Sequence, residues 1–315
     1  MAISIGRGSR YARKRGSYLQ RTWMLYLMLA LPITFFIVFR YVPMGNIVMA
    51  FKNWNIFYPT VWEAEWVGLH WFRQTFQHPG FLPALRNTIW LNFLDLVFGF
   101  PAPIILAILL NELAFRRFKK VTQTIVYLPH FISWIIISGM ASELFAPGRG
   151  VINVLLSGMD LAPIPFLSAP GPWVATFIGL GVWRSMGWGT IIYLAAITGI
   201  NSELYEAAEV DGCGRWGKIR HVTLPGLRPT IVVLLILNLG WMLGSEFDRY
   251  WAMLNLNITM LPVGDVINTM VYRIGILGGQ HSLTAAIGLF QSVVSVIFLL
   301  TANFLAKRLG ERGVM

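Results

Sequence analysis

Six stretches of this chain, residues 23–42, 87–110, 124–145, 173–198, 230–249 and 285–306, are long and apolar enough to cross a bilayer, for a helix needs roughly 20 mostly apolar residues to traverse the hydrocarbon core. Few folds are open to such a chain. In hydrocarbon every backbone N–H and C=O must be paired inside the protein, which leaves helices or a closed barrel, and these stretches are about twice the length of a barrel strand. The predicted fold class is all-α: a polytopic membrane bundle of six transmembrane helices. Charge content agrees, because 12% of the 315 residues are Asp, Glu, Lys or Arg against about 25% in a soluble domain. Prolines at 32, 101, 103 and 129 fall within or beside three stretches, where neighbouring helices can satisfy the freed carbonyls.

Orientation follows from the Lys and Arg residues, since short positive loops stay in the cytoplasm. Most of the 25 lie in the arm 1–21, in the second loop (Arg116, Arg117, Lys119, Lys120), in the fourth loop (Arg215, Lys218, Arg220, Arg228) and in the tail 307–315. With six spans these four regions share one face, so both termini are expected in the cytoplasm. The first apolar stretch is of full span length and lacks a small-residue cleavage site, which predicts an anchored helix and no cleaved leader. The longest outer loop, 43–86, carries Trp54, Trp62, Trp66 and Trp71, which suit a partner-covered surface or an anchor at headgroup depth.

The net charge of +11 is spread in short clusters between apolar runs, so no nucleic-acid partner is expected. A lone cysteine, Cys213, and five scattered histidines supply no disulfide, no metal site and no ligand pair. No internal repeat or pair of matching broken helices marks the chain as a self-sufficient carrier.

The fourth loop, 201–229, is the one long cytoplasmic loop with regular patterning. Ser202 is placed to cap a helix with Glu203 and Glu206 near its positive end. Leu204, Ala207, Ala208 and Asp211 then share one face. Gly212 and Gly214 should stop this helix, a second short helix over 215–221 should follow, and Pro225 and Pro229 lead into the fifth span. Gly212, Gly214 and Gly217 spell a dinucleotide fingerprint, but an acidic helix stands where the buried strand should be. Gly212, Gly217 and Lys218 approach a phosphate-binding loop, yet position 219 is Ile, without the hydroxyl that would hold magnesium. No cofactor is therefore expected in this chain.

The same loop resembles the signature of permease subunits of binding-protein-dependent ABC importers: Glu206-Ala207-Ala208, then Gly212, then Val222-Thr223-Leu224-Pro225. Val222 for the family's Ile is the one departure. Further similarity to the carbohydrate branch, the maltose-permease-like subunits that import oligosaccharides such as those of alginate or aldouronate, lies in Tyr41-Val42-Pro43-Met44, in Phe98-Gly99-Phe100-Pro101-Ala102-Pro103-Ile104, in the run from Tyr127 to Ser133 and in the run from Gly187 to Ala196. The resemblance implies a multi-pass subunit of the bacterial inner membrane without a catalytic site. Its coupling residues would be Glu206, Ala207, Ala208, Asp211, Gly212, Leu224 and Pro225. It also implies a second, non-identical permease subunit, two cytoplasmic ATPase subunits that hold ATP and Mg, and an extracytoplasmic solute-binding protein.

Arg184 falls inside the fourth span, and a central Arg costs roughly 2.5–3.5 kcal/mol on an insertion scale, so it should face a cavity or a counter-charge. Asp95, Glu143, Glu246, Asp248 and Arg249 carry the same expectation. Asn238, Met242, Ser245 and Arg249 recur at helical spacing beside Trp241, and Arg184 shares a face with Gly181 and Trp188. Two readings stand. In the first, these residues line a translocation path in which hydroxyls and aromatic faces hold a sugar and the two arginines favour an acidic one; in the second, Arg184 pairs with Glu143, or Arg249 with Glu246 or Asp248, to lock helices. Among other classes, a stand-alone secondary transporter or channel fits six spans with one docking loop poorly, and no hydrolase or zinc-protease motif supports an intramembrane enzyme.

Overall fold

The structure, a computed structural model, describes residues 8–244 and 246–308, with side chains from residue 22 on. Its described residues are almost entirely helical, and a single antiparallel bridge, Lys52 to Trp66, stands in for any sheet. In chain order the helices are α1 (Thr22–Phe51), α2 (His70–Gln77), α3 (Phe81–Asn111), α4 (Arg116–Phe131), α5 (Trp134–Leu144), α6 (Val151–Gly158), α7 (Pro170–Thr198), α8 (Ser202–Val210), α9 (Arg215–Gly240), α10 (Phe247–Leu256), α11 (Ile267–Val271) and α12 (His281–Arg308). Four of them, α1, α3, α9 and α12, are long and apolar enough to cross a membrane, and α4 with α5 makes five if that bent pair counts as one span.

Two predicted spans are interrupted. The third breaks between Phe131 and Trp134 with a bend of 102°; Pro129 sits in the last turn of α4, and Ser133 opens α5 by accepting a hydrogen bond from the Ile136 N–H, a side-chain cap that lets a helix restart in a new direction. The fifth was expected to run over 230–249. It stops at Gly240, and Arg249 belongs to the separate helix α10, so the four-residue spacing that joined Asn238 to Arg249 is not a helical stripe. Helix α3 stays continuous but widens by one residue per turn over Asp95–Gly99, just before Pro101 and Pro103. Such local widening absorbs a missing donor.

The fourth predicted span, α7, has 29 residues and is the packing centre. Its first half shares a cluster with Leu91, Tyr250, Met253 and Val266 around Trp173 and Phe177, and its last turns share another with Ala107 and Leu227 through Tyr193 and Ile197. With nine of its residues buried among neighbouring helices, α7 need not be uniformly apolar, which is why Arg184, Ser185 and its glycines are tolerated there. By contrast, every α1 side chain from Trp23 to Ile47 is exposed, and α1 joins the bundle through Gly45–Phe51 against α12.

Two close crossings on α7 depend on glycine. A Cβ on Gly187 would collide with the Val126 carbonyl oxygen of α4, and one on Gly181 with the Arg249 guanidinium. Gly187→Val is expected to force α4 off α7 and lower stability by about 3 kcal/mol, the upper end of overpacking costs, read as a depressed unfolding temperature in detergent. An unchanged temperature would mean the crossing is looser than described.

Candidate functional site

The 201–229 loop is built by one helix stop. Asn201, not Ser202, caps α8: its Oδ1 accepts from the Glu203 N–H at 3.1 Å. At the other end the Cys213 N–H donates to the Ala208 carbonyl at 2.8 Å and the Gly212 N–H to the Glu209 carbonyl at 3.0 Å, with Gly212 at φ +79°. This is the paired closure that requires a left-handed residue just past the helix, where any Cβ is strained. The chain then turns straight into α9. The separate second helix expected over 215–221 is instead the first turns of the continuous helix Arg215–Gly240, kept helical past Pro225 by a widened turn over Ile219–Thr223.

The two arms of the loop are tied side by side. Tyr205 Oη and Thr223 Oγ1 lie 3.0 Å apart, and Lys218 Nζ donates to Glu209 Oε2 at 2.6 Å, which holds the Glu209 carboxyl below its ordinary range by hydrogen bond and charge. Of the face predicted for a partner, Ala208 turns inward and is buried, whereas Leu204, Glu206, Ala207 and Asp211 remain exposed, with Leu224 and Pro225 exposed at the start of the span. The sequence reading missed the two most exposed apolar side chains here, Val210 at 89% and Trp216 at 82%. Their signal was present: apolar residues at the tips of a turn with no lipid to cover them.

Between α7 and α9, the two helices that flank this loop, lies an open cavity of about 540 Å³, lined also by α3, the α4/α5 break and the segment joining α9 to α10. Arg184, Trp188, Asn238, Trp241, Met242 and Arg249 all line it; Ser245 lies outside the described residues. The structure thus brings the predicted path residues together, by the break after Gly240 rather than by one continuous helix face.

The ion pairs differ from those expected. Arg249 is 7% exposed and bonds Asp95 through two nitrogens at 2.7 and 3.0 Å, donates to the Phe177 carbonyl at 2.9 Å and lies over the Phe177 ring at 4.0 Å. It pairs with neither Glu246 nor Asp248. Arg184 Nε donates to the Ile132 carbonyl, left open by the α4/α5 break, at 3.1 Å. Its ion-pair partner is Glu246 at 3.9 Å, while Glu143 pairs with Arg149. Trp134 links both arginines: their guanidinium carbons stand 4.9 and 5.3 Å from its ring centre, and its Nε1 donates to Glu246 Oε2 at 3.0 Å. His130 stacks on Trp188 with ring centres 4.6 Å apart and lines the cavity.

Comparison with known proteins places these features. Residues 99–311 match the family described as binding-protein-dependent transport system inner membrane component. Two curated relatives from Bacillus subtilis (strain 168) are similar along nearly their whole length. Protein LplB is 41% identical over 94% of this chain and 92% of its own. The polygalacturonan/rhamnogalacturonan transport system permease protein YteP is 42% identical over 92% and 89%. A subunit in the crystal structure of a bacterial alginate ABC transporter, in complex with alginate pentasaccharide-bound periplasmic protein, superposes with a TM-score of 0.85 at 38% identity, covering 95% of this chain and 99% of that one. With its family match, its apolar helices and these relatives, the chain belongs to the inner membrane components of binding-protein-dependent transport systems, as a permease subunit of an ABC importer.

Proposed function

We propose that this chain is one half of a permease pair that moves an oligosaccharide, specifically one bearing carboxylates, inward across the membrane by alternating access. The observation that carries this reading is the cavity between α7 and α9, whose cytoplasmic connection is the one patterned loop of the chain. A pull on that loop would act on both walls of the cavity. Relatives named for alginate and for polygalacturonan/rhamnogalacturonan, both acidic glycans, support the substrate class; so do Trp188 and Trp241, whose faces can cover the apolar side of a sugar ring.

In this reading α7 is also a span, the fourth in chain order, and α4 with α5 together make a single bent one, which gives six. The arm 1–21 and the tail 307–315 lie in the cytoplasm, 22–306 form the transmembrane domain, and 201–229 couple it to ATP hydrolysis. Two ATPase subunits hold ATP and Mg; this chain contributes no catalytic group and no cofactor site. A second, non-identical permease subunit closes the open side of the cavity, and an extracytoplasmic solute-binding protein delivers the sugar.

Uptake into proteoliposomes distinguishes this from a carrier acting alone. Transport of an oligouronide should require the ATPase subunits, the solute-binding protein and internal ATP, and should stop when any one is omitted. Uptake driven by an ion gradient without ATP would overturn the assignment.

A further inference from the structure

The cavity's two arginines are not equivalent, and the difference identifies which one meets the substrate. Arg249 is committed: buried, doubly bonded to Asp95 and bonded to the Phe177 carbonyl, it has little charge left to offer. Arg184 is held differently. Its Nε is spent on the Ile132 carbonyl, but the acid facing its terminal nitrogens, Glu246, stands at 3.9 Å, beyond hydrogen-bond length, and the second Glu246 oxygen is bonded to Trp134 Nε1. Glu246 itself is 61% exposed at its side chain. A cation whose nearest acid is out of bonding range, on the wall of a cavity that admits water, is an under-satisfied donor.

Resting on the oligosaccharide reading above, we infer that Arg184 is the specificity-determining residue for substrate charge, and that a sugar carboxylate binds it in competition with Glu246. The chemistry fits: a planar guanidinium with free terminal N–H groups takes a carboxylate through two bonds, far more strongly than it holds an acid across a gap. The geometry also gives the exchange a mechanical consequence. Arg184 sits on the unbroken α7, yet its contacts reach both broken spans, through Ile132 at the α4/α5 break and through Glu246 at the start of α10. Trp134, stacked under the guanidinium, belongs to one break and bonds the acid of the other. A substrate carboxylate that takes Arg184 relieves Glu246 of that ion pair and leaves the Glu246 carboxylate bonded to Trp134. On the far side of the α9–α10 segment, Gln291 of α12 bonds the Leu243 carbonyl, an anchor independent of substrate.

The test uses the complete complex, in nanodiscs and without the solute-binding protein, titrated calorimetrically with a trigalacturonate and with the neutral trigalactose of equal length. Wild type should bind the uronate more tightly. Arg184→Gln should weaken the uronate at least about tenfold, the loss expected for a charged hydrogen bond, with little change for the neutral sugar. Arg184→Lys, which keeps the charge without the planar fork, should recover part of that loss, and Glu246→Gln, by removing the competing acid, should tighten the uronate several-fold. A purely structural Arg184 predicts otherwise: equal losses for both sugars, no rescue by Lys, and no gain in Glu246→Gln. Any of these outcomes, or uronate binding no tighter than neutral binding in wild type, would overturn the inference. Failure of the wild-type complex to import either sugar with its binding protein and ATP would instead sink the function proposed above.

Discussion

Gly212→Pro and Glu206→Lys should each abolish ATP-driven uptake while the subunit remains in the membrane and the ATPases keep hydrolysing. Proline removes the N–H that Gly212 donates to the Glu209 carbonyl and cannot adopt φ +79°, so α8 loses the closure that sets its angle to α9. Glu206→Lys leaves the loop's fold intact, because that side chain is exposed, and reverses a charge on the face proposed to meet the ATPase. Trp216→Ala separates docking from folding. An aromatic anchor buried in a partner's pocket is worth about 2–4 kcal/mol, so its loss should weaken ATPase co-purification by tenfold or more without lowering the subunit's amount in the membrane. Immunoblots, ATPase assays and uptake on the same membranes provide the readouts. Wild-type transport in all three variants would remove the loop from the coupling path.

Asp95→Asn should be the most damaging substitution within the bundle. It leaves the Arg249 guanidinium, 7% exposed, without a counter-charge, and breaking a buried pair from one side costs about 3–5 kcal/mol. The pair joins α3 to α10, and through the Phe177 carbonyl to α7, so the expected result is loss of detergent-stable complex. Size-exclusion profiles and thermal unfolding would record it. The double variant Asp95→Leu with Arg249→Met should recover much of the stability, since replacing both charges leaves no orphan. If Asp95→Asn alone is as stable as wild type, Arg249 is not desolvated as the structure has it. Gly181 enters the same argument: it is the residue that makes room for the guanidinium.

The bundle's helices were legible because lipid imposes a length and a composition on whatever crosses it, and those are one-dimensional quantities. The first arm of the 201–229 loop was legible for a related reason: a helix start, a left-handed glycine and a run of small residues act over a few positions. Helix breaks were not. Residues 231–243 are apolar but for Asn238, and no proline stands between Gly240 and Phe247, so only the glycines at 240 and 244 hint that the helix ends there; contacts from Gln291, Trp134 and Asp95 hold the segment after it. Pairing partners failed for the same reason. Arg249 was matched with acids nearby in sequence, whereas its partner lies 154 residues away.

Composition and local pattern, then, were sufficient to point to a helical membrane protein and to the loop by which it resembles a permease, because each rests on interactions with solvent, lipid or immediate chain neighbours. Tertiary structure alone decided which charges are spent on one another, where two spans break, and that both breaks meet around Arg184. Those outcomes depend on distances between segments remote in the chain, and in a low-dielectric interior a few ångströms separate a committed ion pair from one that a ligand can take.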